Sequence, residues 1–133
     1  MIRALLSKRI DSLEKELSAP ADYLRHILSV SLRSFFAFAK IGPLASYRRK
    51  LPIVPCHVAK LVATRHEDCG TCVQIGVNMA KKEGVSAEVL RAVLDRRPDD
   101  LPEELADVYR FTEAVVETNG QEDEYRERIR AHY

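Results

Sequence analysis

The chain has 133 residues, 46% of them hydrophobic, and a formal net charge of +1. That length is enough for one compact domain to bury a core without staples, and the near-neutral balance argues against a nucleic-acid or membrane partner. The charge is uneven along the chain: residues 1–68 carry 12 Lys/Arg against 6 Asp/Glu, and residues 69–133 carry 9 against 14. We read this as two differently solvated faces.

The periodicity is helical throughout, with almost nothing alternating at period two, so an all-α fold is expected. Ile2, Leu5, Leu6, Ile10, Leu13 and Leu17 form one stripe of a first helix. This opening is charged throughout and has no apolar signal-peptide core. A second helix is expected from Ala21 to about Ile41, apolar around much of its girth, with Gly42-Pro43 ending it. Arg25, His26, Arg33 and Lys40 interrupt it too often for a membrane span. A solvated loop, Tyr47-Arg48-Arg49-Lys50, separates this N-terminal helical segment, residues 1–50, from the remainder of the domain, 51–133. Pro52 and Pro55 suit the opening of a third helix near 54–65. A fourth runs from Cys69 towards Gly84, a fifth is capped by Ser86, and a sixth starts at Pro102. Asn119-Gly120 turns the chain into a highly charged, weakly amphipathic last stretch.

The three cysteines are Cys56, Cys69 and Cys72. An odd count at these spacings is not a secreted disulfide framework, so a reducing compartment, the cytoplasm, is expected. Cys69-Gly70-Thr71-Cys72 is a C-x-x-C pair. At a helix start both sulfurs lie on one face, and the unpaired N–H groups there favour a thiolate. Asp68 is a candidate cap for that helix, while Glu67 and Asp68 as neighbouring carboxylates work against a second negative charge. Two other readings of the pair are small buried hydrophobes and half of a zinc site. A zinc set of Cys56, His57, Cys69 and Cys72 is disfavoured because adjacent Cys56 and His57 point apart on one helix. No metal or cofactor is expected. Cys56 reads as a core residue, and His66 as a solvated turn residue. Gln74 and Asn78 lie off the sulfur face.

The run from His57 through Ala114, including HVAKLVATRHEDCGTCVQIGVNMAKKEGVSAEVLRAVL and LPEELADVYRFTEAVVET, resembles the carboxymuconolactone decarboxylase superfamily, and within it the alkylhydroperoxidase D-like branch. The resemblance implies an all-helical bundle, a trimer or hexamer, and a redox-active cysteine pair acting on a small peroxide, thiol or disulfide. Members often continue into a further apolar helix, where this chain ends on a polar segment, as a naturally short member or a shortened chain would. The branch relays protons through a Glu twelve residues before the first Cys and a His four residues after the second. Here those positions hold His57 and Gly76. If the third and fourth helices form a hairpin turning near Glu67, His57 faces the room left at Gly76 and its ring can approach Cys72 as a general base. The catalytic set expected is therefore Cys72 as attacking thiol, Cys69 as resolving thiol and His57 as base. The alternative is a non-catalytic oligomeric or binding member that has lost the relay.

Overall fold

A computed structural model describes residues 1–133 and is all-helical, with nine α-helices and no strand. The chain divides into two compact units, Met1–Arg49 and Lys50–Tyr133, where length alone suggested one domain. Each unit has a hydrophobic cluster of its own.

In the first unit, α1 (Ile2–Leu17) presents Leu6 and Ile10 to Ala21 and Leu28 of the following segment. Ser18 takes a left-handed conformation and ends α1. The Glu14 carboxylate then accepts the Ala21 N–H at 2.8 Å and pairs with Arg25, which also reaches Asp11 at 2.7 Å. This clasp fixes the angle between α1 and α2 (Asp22–Val30). The single long second helix expected from the sequence is broken. Ser31 is extended at φ −153°, and its hydroxyl accepts the Ser34 N–H to cap a separate helix, α3 (Leu32–Ala39). Serine offers the backbone this local bond in place of the helical ladder, which is why apolar periodicity ran across a break. Gly42-Pro43 does not end a helix. It sits in the first turn of the short α4 (Ile41–Ala45), where a missing proline N–H costs no ladder bond.

In the second unit, α5 (Ile53–His66) is central and packs against α6 (Gly70–Lys82), α7 (Ala87–Leu94) and α8 (Glu103–Glu117). A 3-10 turn at Pro98–Asp100 links α7 to α8, and α9 (Glu122–His132) lies on α8. Val58, Leu61 and Val62 of α5 are buried with Val77, Ala80, Leu90, Val93, Val108 and Tyr109. Truncating Leu61 to Ala in such a core costs about 2–5 kcal/mol. Gly84, at φ 88°, ends α6 by sending the Val85 N–H back to the Ala80 carbonyl at 2.9 Å. The weakly periodic last stretch is helical because α8 supplies its partner. Buried Asp107 of α8 receives His132 Nε2 at 3.1 Å and faces Arg128 at 3.6 Å. No helix of the chain is long and apolar enough to cross a membrane.

Candidate functional site

The α5–α6 turn builds the site. Asp68 adopts φ 50°, a left-handed conformation that aspartate tolerates, and hands the chain to Cys69 in an extended conformation. Cys69 is itself the N-cap of α6. Its Sγ accepts the Cys72 N–H at 3.4 Å, the role expected of Asp68. A sulfur in this position satisfies one of the orphan donors of a helix start and faces the positive end of the helix dipole.

The two thiols consequently differ. The Cys72 thiol donates to Cys69, and with the Cys72 and Thr71 N–H groups it holds the Cys69 thiol below its ordinary value. Cys72 is raised, first by that same bond, then by burial and by the neighbouring negative sulfur. Cys69 is half-buried, Cys72 is exposed, and both are free thiols. Because the thiolate is the nucleophile, this geometry favours ionisation at Cys69 over Cys72, the thiol expected to attack.

The structure does not bring His57 to this pair. His57 is buried on α5, and its Nε2 lies 3.1 Å from Glu83 Oε2 at the C-cap of α6. At the standard helical rise, Glu83 is about 16 Å along α6 from Cys72. The space at Gly76 is filled by Leu61, whose Cδ2 would stand 2.9 Å from a Cβ added there. The hairpin is antiparallel as expected, but its register places Leu61, one turn beyond His57, against Gly76. Helical side chains tilt towards the N-terminus, which carries the imidazole away from the turn.

Cys56 is half-buried on α5. No group of three or more His, Cys, Asp or Glu is gathered where it could hold a metal ion. Gln74 donates to Asn78 at 2.9 Å along the exposed side of α6. His66 is exposed as the last residue of α5. No family model, curated protein or solved structure matches the chain.

Two polar groupings escaped the sequence reading. Arg65 sends one nitrogen to the Val93 carbonyl and another to Tyr109 Oη at 2.8 Å, and its guanidinium lies 5.4 Å from the Tyr109 ring centroid. The second grouping is Asp107 with His132 and Arg128. Each joins residues more than 20 positions apart, so neither leaves a local signal. Both hold helices together.

Proposed function

We propose that the chain is a thiol–disulfide oxidoreductase in which Cys69 attacks and Cys72 resolves. The observation that supports this is the thiol N-cap: Cys69 Sγ accepts a backbone N–H at 3.4 Å and is lowered, while its partner is raised. The Cys69 thiolate attacks one sulfur of a substrate disulfide; a new S–S bond forms, the substrate bond breaks, and the first substrate thiolate leaves. Cys72 then gives up its proton and attacks Cys69, forming the Cys69–Cys72 disulfide and releasing the second substrate thiolate. An external thiol restores the pair by the reverse exchange.

This reading follows the resemblance to the alkylhydroperoxidase D-like branch but shifts the substrate. Peroxide reduction needs a proton for the departing oxygen. The imidazole that would supply it is missing, because Leu61 occupies the space at Gly76 and His57 is held by Glu83. Disulfide exchange needs only a poised thiolate and a leaving thiolate, so a disulfide is favoured over a peroxide. The same missing relay favours the second reading, a non-catalytic oligomeric or binding member. In either case we propose a homo-oligomer in a reducing compartment such as the cytoplasm. Its contact would cover Val30, Phe36 and Leu44, which are 68%, 45% and 76% exposed.

The deciding experiment is turnover of oxidised glutathione by the full chain with dithiothreitol as donor. Activity lost in both Cys69→Ser and Cys72→Ser supports the oxidoreductase. A trapped mixed disulfide on Cys69 in the Cys72→Ser variant supports the proposed order. No turnover above the dithiothreitol background selects the non-catalytic reading.

A further inference from the structure

The first unit leaves an unfilled, half-enclosed cavity of about 370 Å³ between its four helices. Native interiors are close-packed, and volumes from about 300 Å³ upward are those of ligand sites. The lining is almost wholly apolar: Leu13 from α1, Tyr23 and Leu24 from α2, and Phe35 and Phe38 from α3. Tyr23 and Phe38 meet edge to face with centroids 5.9 Å apart, forming one wall. Neither α3 nor α4 contributes a buried residue, so the apolar side chains of this unit line the cavity in place of closing it.

One charge belongs to the lining, Arg9. Arg25 on α2 is committed to Glu14 and Asp11, and Arg3 donates to the Ser29 carbonyl. Arg9 forms no ion pair with Asp11 or Glu14, the two carboxylates that Arg25 takes. A guanidinium at the edge of an apolar cavity presents a planar fork that matches a carboxylate with two parallel N–H bonds. We propose that this cavity binds a single-chain amphipathic carboxylate, its tail against Phe35, Phe38 and Leu13 and its headgroup on Arg9. A concave, half-enclosed space suits one alkyl tail, and the free cation selects the acid over the neutral alcohol. The site lies wholly in the first unit and goes beyond the dithiol chemistry.

The test is isothermal titration calorimetry of the full chain with laurate below its micelle concentration, with dodecanol and butyrate as comparison ligands. Saturable binding at one laurate per chain is expected, at least tenfold tighter than dodecanol, with no measurable butyrate binding. Arg9→Gln, an exposed position, should weaken laurate at least tenfold and bring it level with dodecanol. Gly42 lines the cavity and an added Cβ there meets nothing within 4 Å, so Gly42→Leu should fill space and reduce both long-chain ligands. Helicity by circular dichroism checks that each variant folds. Equal binding of laurate and dodecanol to the wild type, or laurate binding unchanged in Arg9→Gln, overturns the proposal. So does an absence of laurate binding, including the case where light scattering shows a second copy covering this unit.

Discussion

Cys69 and Cys72 are chemically identical side chains separated by what reaches them. Cys69 receives N–H groups and a thiol proton; Cys72 gives that proton and faces a negative sulfur. Alkylation of Cys69 by iodoacetamide should therefore reach half its maximal rate at a lower pH than that of Cys72. In Cys69→Ser the causes that raise Cys72 by bond and charge disappear, so Cys72 should react faster at pH 8 than in the wild type. Peptide mapping of alkylation against pH reads both. The opposite order would return the attacking role to Cys72. His57 gives a complementary prediction. Held at Glu83, it should leave both profiles unchanged in His57→Gln. A shift of Cys72 in that variant would mean that the imidazole reaches the thiol pair in solution. Gly76→Ala should cost about 1–3 kcal/mol in urea unfolding, because Leu61 is fully buried and its Cδ2 must give way. The paired variant with Leu61→Val should recover part of that loss relative to the sum of the single changes.

At the scale of elements, charge ties helices that apolar packing leaves loose. Asp107 is buried, and only α9 offers it donors, through His132 and Arg128. Asp107→Ala should destabilise the second unit by about 1–3 kcal/mol and raise amide exchange in α9 first, since His132 and Arg128 then lose the carboxylate that ties α9 to α8. Uniform exchange across α8 and α9 would show that the contact is not what holds the last helix. In the first unit Glu14 plays the comparable part. Arg25, then the Ala21 N–H, hold its carboxyl below the usual carboxylate range. A depressed carboxyl contributes stability that is complete above its unfolded value, about 4.3, and is lost as pH falls through the lower folded value. Acid unfolding of residues 1–49, followed by amide exchange, should begin at higher pH in wild type than the loss of protection in the second unit. Glu14→Gln should lower protection of α1 and α2 at pH 7 and flatten its acid dependence. An unchanged acid limb in that variant would remove Glu14 from the clasp.

On the scale of the whole molecule, the two units are unequal. The first unit's core cluster holds four buried apolar residues and the second's fourteen. Small units with little core are marginal, so amide exchange should show weaker protection across residues 1–49 than in α5, α7 and α8. The comparison belongs to dilute chain, where light scattering reports a monomer; equal protection there would mean that the small cluster of the first unit is as stable as the larger one. The sequence by itself determined the helical class, the extent of α1 though not its whole stripe, since Ile2 and Leu5 are exposed, the Ser86 cap, the Gly84 stop and the C-x-x-C pair at a helix start. Those are local signals, set by periodicity and by residues within a turn of one another. Only the tertiary structure decided the break at Ser31, where a side-chain bond competes with an unbroken apolar pattern, and the register of the α5–α6 hairpin. That register depends on how Leu61 packs against Gly76, and one helical turn of difference sends His57 to Glu83 and leaves Cys69, the N-cap of its helix, without the imidazole. Contacts between residues distant in the chain, such as Asp107 with His132, have no counterpart in local pattern, because burial and pairing are settled only when the helices meet.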